Sequence, residues 1–377
     1  MAGIYIHIPF CKSRCIYCGF YSSTLLELRQ RYVDALCREM QLRAHELHTQ
    51  QTETIYLGGG TPSMLSGKQL QQIFAHLYNI YKVKPDAEVT IECNPDDVTS
   101  QYADMLAPLP VNRVSMGAQT FDDQRLRLLG RRHNARQVDE AMQHLRAVGI
   151  GNISIDLMFG FPGQSLQQWA DDISHALSLR PEHLSAYALT YEEGTPLHRR
   201  SQSDPRFAPI SDQLSLAMYH QLIDSLQSAG YEHYEISNFA RPGYHSRHNS
   251  SYWQGTPYMG FGAAAHSYDV DTRSWNVSDV KRYIETIEQG QRPLEEREVL
   301  TISDRFDDLV MTSLRTSQGL SIDDVTRRFG PAYRQHLLAA AQPHLDSHLL
   351  ALDADRLRLT RDGLFLSDGI MSDLMYV

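Results

Sequence analysis

Ile4-Tyr-Ile-His-Ile-Pro-Phe-Cys11-Lys-Ser-Arg-Cys15-Ile-Tyr-Cys18 is the most informative stretch of the chain. Its first residues are mostly apolar and predict a buried β-strand, and the three cysteines follow on a short loop. Three thiolates at this spacing can bind three irons of a [4Fe–4S] cluster and leave the fourth iron free for a small molecule. A structural zinc site is the competing interpretation, but zinc normally requires a fourth ligand. His7 could supply it, although its place on the strand favours the core or a cavity wall.

Short apolar runs typical of β-strands alternate with amphipathic helical runs through the first half of the chain. The predicted strands cover residues 4–8, 54–57, 88–92, 113–116, 153–158 and 183–189. Asn134 and Ser165 are placed to begin two of the intervening helices, and Gly149 is placed to end one. Strands that alternate with helices at this spacing form a parallel sheet through right-handed crossovers. Six such repeats predict a partial or complete α/β barrel.

The alternation stops after Tyr191. A polar loop, a helix near residues 211–229 and a stretch rich in glycine and aromatic residues follow. Further on, short helices precede two candidate strands at 349–352 and 357–359, a pattern typical of a winged-helix-like unit. This unit has no basic recognition helix, which argues against DNA binding.

The composition excludes several classes of protein. The chain has 377 residues, of which 42% are hydrophobic and 21% charged, as in ordinary globular proteins. A formal net charge of −10 argues against nucleic acid as a partner. The sequence shows neither a transmembrane run nor a signal-peptide-like start, so we expect a cytoplasmic protein. Five cysteines are an odd number and do not suggest a disulfide framework, and Cys37 and Cys93 are expected to be buried.

Polar residues follow several predicted strands at their carboxyl ends. Glycines 58–60 and Thr61 come after the second strand, where they could form a plain turn or bring the backbone close to a ligand. The other residues of this kind are Glu92, Gln119, Arg131 and Asp156. Because barrel active sites are built at this edge, we expect these residues to share one site with the cysteine loop.

Together these motifs resemble the radical S-adenosylmethionine superfamily, whose signature is CxxxCxxC after the first barrel strand. The segments most similar to its HemN/HemW branch are YIHIPFC at 5–11, GGGTP at 58–62, SMGAQ at 115–119 and IDLMFG at 155–160. LTRDGLFLSDGIM at 359–371 is similar to a HemN-type C-terminal domain. The resemblance implies an α/β fold, a partial (β/α)6 TIM-type barrel with a small C-terminal winged-helix-like domain.

The resemblance also implies domains, cofactors and their residues. The predicted domains are a core barrel at 1–230, a sheet extension with a linker at 231–300 and the C-terminal domain at 301–377. Cys11, Cys15 and Cys18 would hold the [4Fe–4S] cluster. Its open iron would bind S-adenosylmethionine, and the reduced cluster would cleave this molecule to a 5′-deoxyadenosyl radical. The residues implied around S-adenosylmethionine are Tyr5, Tyr17, Gly59, Gly60, Thr61, Glu92, Gln119, Arg131 and Asp156.

Within the branch, three features distinguish heme chaperones of the HemW type from coproporphyrinogen III oxidases. The oxidases carry CxxxCxxCxC and an N-terminal extension, whereas here Phe20 takes the place of the fourth cysteine and Tyr5 lies close to the start. An HNxxYW motif at 248–253 is the third feature. It implies a heme site formed by His248, Asn249, Tyr252 and Trp253. The imidazole would face iron and the aromatic rings the porphyrin, although a packing role for the histidine is the alternative.

The resemblance therefore predicts a chaperone that binds heme and delivers it to apoproteins of the respiratory chain. It predicts no coproporphyrinogen oxidase activity, at most peripheral contact with a membrane, and a homodimer when the cluster is bound. Three alternatives stay open: the oxidase, a heme-degrading radical methyltransferase and a purely structural iron–sulfur protein. His133 and His245 have no assigned role, and His266 is interpreted as a core histidine.

Overall fold

A sheet of six parallel strands forms the centre of the fold in the computed structural model, which describes residues 2–46 and 51–376. The strands are β1 (Ala2–Ile8), β2 (Thr52–Gly59), β3 (Val83–Cys93), β4 (Arg113–Gln119), β5 (Asn152–Phe159) and β6 (His183–Ala188). Each pairs in parallel with the next, so their spatial order follows the sequence. All six predicted strands are confirmed, with small differences at their ends.

Helices cross over between the strands, as the apolar stripes predict. They are α1 (Arg29–Leu42), α2 (Gly67–Ile80), α3 (Ser100–Leu106), α4 (Asp123–Leu129), α5 (Ala135–Ala147) and α6 (Leu166–Ser178). Two more helices, α7 (Pro196–Ser201) and α8 (Asp212–Ser228), follow β6. Asn134 and Ser165 begin α5 and α6 as predicted, each in a reciprocal pair of hydrogen bonds with the glutamine three residues on. Gly149 follows α5 with φ +87°, a conformation that favours glycine.

Short strands extend this sheet on both sides to twelve strands. The added elements are β7 (Glu232–Glu235), β8 (Asn238–Ala240), α9 (Arg247–Trp253), β9 (Tyr258–Phe261), β10 (His266–Tyr268), β11 (Thr272–Asn276), α10 (Val280–Glu288) and β12 (Leu294–Val299). Strand β8 pairs with β6, and β9 pairs in parallel with β1. Within the described residues the two outermost strands, β12 and β7, do not pair with each other, so the barrel is partial, as predicted.

A separate C-terminal unit has its own small sheet and its own core. It contains α11 (Ile302–Leu314), β13 (Leu320–Ser321), α12 (Ile322–Phe329), α13 (Pro331–Asp346), β14 (Leu350–Asp353), β15 (Arg356–Leu359), α14 (Arg361–Leu364) and α15 (Ser367–Leu374). Phe306, Val325 and Leu357 belong to a hydrophobic cluster distinct from that of the barrel. The chain therefore folds around two main cores.

A buried ion pair fastens the sheet extension to the barrel. Glu39 of α1 and Arg43, the residue that follows α1, are both buried and lie 2.9 Å apart. Glu39 accepts hydrogen bonds from the Gly262 amide at 2.8 Å and the Tyr283 hydroxyl at 2.6 Å. Arg43 donates to the Gly260 carbonyl at 2.6 Å. These bonds hold the segment after β9 firmly against α1.

The remaining predictions about cysteines and His266 have different outcomes. Cys37 and Cys93 are buried, as expected. The interpretation of His266 as a core residue is wrong, because β10 leaves it exposed and stacked on Trp275, with ring centroids 5.5 Å apart. No helix within residues 2–46 and 51–376 is both long and apolar enough to cross a membrane.

Candidate functional site

The three cysteines of the predicted cluster site lie on the loop that leaves β1. Backbone hydrogen bonds hold this loop: the Cys11 amide donates to the Ser23 carbonyl at 3.0 Å, and the Ile16 amide donates to the Leu129 carbonyl at 3.0 Å. Ile16 also packs against a small apolar cluster that contains Phe161. The loop is therefore positioned by contacts within the chain itself.

The three thiols lie close enough to influence one another. Burial raises the pKa of Cys18, and the neighbouring Cys15 and Cys11 raise it further. The Thr61 hydroxyl lies 3.4 Å from Cys11 Sγ, and Arg131 Nη1 donates to Cys15 Sγ at 3.7 Å. A guanidinium and a hydroxyl beside sulfur can donate hydrogen bonds to a metal-bound thiolate.

This donor set fits a [4Fe–4S] cluster. Within the described residues, no group of three or more His, Cys, Asp or Glu side chains is arranged around a single metal ion. A cubane presents a different iron to each cysteine, so its thiols need not converge on one point. When bound by Cys11, Cys15 and Cys18, such a cluster supplies single electrons. The hydrogen bonds to sulfur from Thr61 and Arg131 would tune its reduction potential.

A cavity of about 630 Å³, here called the rim cavity, opens beside the loop at the carboxyl ends of the parallel strands. Its lining includes Tyr17, Cys18, Gly59, Gly60, Thr61, Glu92, Gln119, Arg131 and Asp156. The structure thus brings together residues that are far apart in sequence. Tyr5 is not part of this lining, because its hydroxyl lies 3.0 Å from His7 Nδ1 and its ring stacks on Tyr56.

Two glycines of the GGGTP turn are required by the packing of β1 against β2. Gly59 has φ +109°, and a Cβ there would lie 2.5 Å from the His7 ring. A Cβ on Gly60 would lie 2.9 Å from the Ile8 carbonyl. A larger residue would displace the start of the cysteine loop, so the turn serves packing while its backbone also lines the cavity.

Two half-buried carboxyl groups line the rim cavity. Glu92 accepts hydrogen bonds from the Tyr56 hydroxyl at 2.8 Å and the Gly59 amide at 3.1 Å. The pKa of Glu92 is raised to about 7, mainly by burial. The nearby Asp156 also raises it, and the hydrogen bond from the Tyr56 hydroxyl lowers it. Burial also raises the pKa of Asp156, against hydrogen bonds from Ser185 and Ser115. Such groups can accept hydrogen bonds from the amine or hydroxyls of a bound ligand.

Arg131 connects the cavity wall to the cysteine loop. Besides its contact with Cys15, it donates to the Gly117 carbonyl at 2.5 Å and to Asn94 Oδ1 at 2.8 Å. Gln119 lies nearby at the end of β4 with φ +68°, which is uncommon for a residue other than glycine. Strained backbone of this kind is concentrated at ligand sites.

The sequence analysis missed Arg113 as a residue of this cavity. Its guanidinium lines the cavity, only 1% of the residue is exposed, and its Nε has no hydrogen-bond partner in the described residues. Its positive charge lowers the pKa of both Glu92 and Asp156 against the effect of burial. A charged residue at the start of an apolar strand was the signal that could have identified it.

The HNxxYW motif forms α9, and its histidine is locked in the core. His248 is 1% exposed, with Nδ1 2.8 Å from the Thr54 hydroxyl and Nε2 2.8 Å from the Tyr252 hydroxyl. Burial and, to a smaller extent, the charge of Arg113 together lower the pKa of His248 to about 3. Glu88 accepts a hydrogen bond from the His248 amide at 2.9 Å, in the first turn of α9. In this conformation an iron bond at Nε2 would require the hydrogen bond with Tyr252 to break and the buried ring to become accessible.

The other residues of the motif divide between two cavities. Asn249 lines the rim cavity. Tyr252 and Trp253 line a second cavity of about 610 Å³, here called the C-terminal cavity, between the sheet extension and the C-terminal unit. His245 lines this second cavity as well, whereas His133 is buried with Nε2 3.0 Å from the Ala118 carbonyl. The predicted heme residues therefore do not form one contiguous site.

Comparison with known proteins identifies the family. Residues 5–176 match the radical SAM superfamily, and residues 292–366 match the HemN C-terminal domain. "Heme chaperone HemW" of Bacillus subtilis is 36% identical over 88% of this chain and 87% of its own length. The protein of the same name from Mycobacterium tuberculosis is 34% identical over 99% of this chain and 94% of its own length.

A solved structure supports the fold. Coproporphyrinogen III oxidase (HemN) from Escherichia coli superposes with a TM-score of 0.87, covering 99% of this chain and 90% of that one, at 24% identity. This likeness concerns the fold alone. The extent and identity of the sequence matches establish the relationship: the chain belongs to the HemW family within the radical SAM superfamily, a family whose cofactors are a [4Fe–4S] cluster and S-adenosylmethionine.

Proposed function

We propose that the chain is a heme chaperone that delivers heme to heme-requiring apoproteins of the respiratory chain. Its cluster would be held by Cys11, Cys15 and Cys18, and S-adenosylmethionine would occupy the rim cavity beside them. It would act in the cytoplasm, with no more than peripheral contact with a membrane, and would form a homodimer when the cluster is bound.

The observation that carries the proposal is the similarity to two proteins named heme chaperone along nearly the whole chain. The cysteine loop supports it, because position 20 holds an exposed phenylalanine where the oxidases of the branch have their fourth cysteine. The two separate cavities also support it, since the cofactors and the cargo need not compete for space.

Within the rim cavity, each group has a role that follows from its contacts. Glu92 and Asp156 offer carboxylate oxygens to the cationic and hydroxyl groups of S-adenosylmethionine. Arg113 offers a buried guanidinium that suits a carboxylate. Arg131 keeps the cysteine loop against the cavity wall through its bonds to Gly117 and Cys15.

A heme-transfer experiment tests the proposal. The chain, reconstituted with its cluster, is loaded with heme, separated from free heme and mixed with an apo-cytochrome that requires heme. We expect heme to appear in the cytochrome. The amount gained there should equal the amount lost from the chaperone, as measured by heme absorbance. Protein that retains no heme, or never releases it to the acceptor, would contradict the proposal.

A second incubation tests the oxidase alternative. The reconstituted protein is kept anaerobically with reductant, S-adenosylmethionine and coproporphyrinogen III, and the products are separated by chromatography. We expect the porphyrinogen to stay intact while absorbance verifies the cluster. Protoporphyrinogen formed together with 5′-deoxyadenosine would instead identify an oxidase.

A further inference from the structure

The proposed function assigns neither the cluster nor S-adenosylmethionine to the C-terminal cavity, whose lining combines aromatic and charged side chains. Tyr252 and Trp253 of α9, Tyr258 of β9 and Tyr268 of β10 make one side aromatic. Residues of α11 and α12 in the C-terminal unit complete the lining. Its volume of about 610 Å³ lies within the range of about 300–1,000 Å³ typical of ligand pockets. Flat aromatic side chains suit a flat apolar ligand.

The charged residues of this cavity favour a ligand with negative groups. They are Arg273, Arg305, Asp308, Asp324, Arg328 and Arg356. Four arginines against two aspartates leave two positive charges, in a chain whose formal net charge is −10. Arginine binds carboxylates through the planar fork of its guanidinium. Heme combines a flat macrocycle with two propionate carboxylates, so it matches both the aromatic side and the charge of this cavity.

Some of these guanidinium groups have N–H donors with no acceptor among the described residues. Arg356 donates to the Gly319 carbonyl at 3.4 Å and forms no ion pair with a carboxylate of the described residues. Arg305 pairs with the exposed Asp271 at 2.7 Å, but its Nε is buried without a hydrogen-bond partner in the described part of the chain. An unsatisfied buried donor is costly, and a propionate could satisfy it.

The histidine available to this cavity is His245. Its Nε2 lies 2.7 Å from Glu232 Oε2, and the two side chains are 41% and 51% exposed. Iron bound at Nδ1 leaves this contact in place, and Glu232 then accepts the proton of Nε2, as carboxylates beside metal-bound imidazoles do. His248, by contrast, is 1% exposed, and both of its ring nitrogens already lie at hydrogen-bond distance from a hydroxyl group.

We propose that heme binds in the C-terminal cavity, with His245 as its axial ligand and its propionates directed at the arginines, Arg356 among them. The ring lies against Tyr252 and Trp253. This assignment rests on the proposed heme-chaperone function and names a different histidine from the one in the HNxxYW motif. His248 then has a positioning role, because it holds the Tyr252 hydroxyl at 2.8 Å.

Titration of the full chain, with its cluster reconstituted, with ferric heme tests the assignment. We expect His245→Ala to shift the main absorbance band of the bound heme and to weaken binding roughly ten-fold or more. Arg356→Gln should weaken binding about ten-fold or more, as loss of a hydrogen bond to a charged group does. Heme dimethyl ester, which lacks the propionate charges, should bind wild-type protein and Arg356→Gln equally. His266→Ala, an exposed histidine outside this cavity, is the matched control and should bind heme as wild type does.

The outcomes separate the site from the function. Wild-type protein that binds no heme would overturn the proposed function itself. Wild-type protein that binds heme, with His245→Ala and Arg356→Gln unchanged, would overturn the site alone. A His248→Gln variant that loses the iron-ligand spectrum while His245→Ala keeps it would overturn His245 as the ligand. If His245→Ala does not fold, as judged by thermal unfolding, Arg356→Gln and the ester decide the site.

Discussion

The rim cavity and the C-terminal cavity are nearly equal in volume but are built in different ways. The rim cavity lies on strands of one continuous core, and its main charged groups are buried or half-buried and held by neighbouring residues. The C-terminal cavity lies between two separate hydrophobic cores, and several of its arginines pair with partly exposed aspartates. A cavity between two cores can change its width without disrupting either one. The rim cavity is therefore suited to retain cofactors, and the C-terminal cavity to take up and release a cargo.

The sharpest way to separate the two cavities is to remove the cluster. Cys11→Ser is expected to abolish the cluster, because the loop holds it with three thiolates and the substitution leaves two. Iron content and absorbance after anaerobic reconstitution measure this loss. Cys37→Ser is the matched control, because Cys37 is a buried cysteine on α1 far from the loop in sequence, and it should retain the cluster. A Cys11→Ser protein with a full complement of iron would show that the cluster is held elsewhere.

A second change tests whether the buried ion pair fastens the sheet extension to the barrel. Glu39→Ala removes the acceptor of the Gly262 amide and the Tyr283 hydroxyl. It also leaves the buried Arg43 with Glu46 as its remaining ion-pair partner. Loss of one partner of a buried pair costs up to about 3–5 kcal/mol of unfolding free energy. Urea denaturation measures it.

The matched control for this change lies on the same helix. Arg31 forms an exposed ion pair with Glu288 at 2.8 Å, so Arg31→Ala should cost no more than about 1 kcal/mol. Equal effects of the two substitutions would contradict the view that the buried pair fastens the extension.

A third change affects ligand binding in the rim cavity only. Glu92→Gln should weaken S-adenosylmethionine binding about 10–100-fold, the usual effect of losing a hydrogen bond to a charged group, and leave heme binding unchanged. Because the pKa of Glu92 is about 7, wild-type affinity should fall as the pH drops below 7 and the carboxylate takes up a proton.

Calorimetric titration at pH 8 and pH 6 measures both effects. In Glu92→Gln the part of the pH dependence that comes from this carboxyl group should disappear. The control is Glu193→Gln. Glu193 is exposed and lies outside the cavity lining, next in sequence to the lining residue Glu192, so this variant should behave as wild type. A pH dependence that is the same in both proteins would show that another group controls binding.

The smallest expected effect concerns His248 and acid stability. Its pKa is about 3 in the folded protein, against an ordinary value of 6.5, so the unfolded chain takes up the proton first. The stabilisation is fully present above pH 6.5 and is lost as the pH falls towards 3; at pH 5 the loss is about 2 kcal/mol. His248→Gln should reduce the loss of stability between pH 7 and 5 by that amount.

Urea denaturation at the two pH values measures it. His7 and His133, whose pKa values burial lowers to about 4 and about 3, should still make the variant less stable in acid. An unchanged pH dependence in His248→Gln would mean that this imidazole is accessible to protons in the folded protein.

Much of the fold could be predicted because it depends on local patterns. The parallel strands are apolar runs separated by amphipathic helices, and the helix starts at Asn134 and Ser165 follow from hydrogen bonds within one turn. The strands β9 and β10 could not be predicted in the same way. They are 4 and 3 residues long. Strand β9 pairs with β1, which lies far away in the sequence, and β10 pairs with β9 and β11.

The candidate site shows the same limit. The carboxyl ends of parallel strands meet at one edge, which is why Glu92 and Asp156 could be expected to lie together. The environment of His248 could not be expected, because it is set by Thr54 and Glu88, which are 194 and 160 residues away along the chain. A motif gives the type of side chain, but its burial is decided by contacts that no local pattern encodes.

The most direct test of two independent sites is a heme titration of Cys11→Ser protein beside wild-type protein that carries its cluster and S-adenosylmethionine. The two-cavity account predicts equimolar heme binding with the same affinity in both, because the heme site lies outside the rim cavity. Loss of heme binding in the cluster-free protein, or displacement of heme by S-adenosylmethionine, would contradict it and place both ligands in one site.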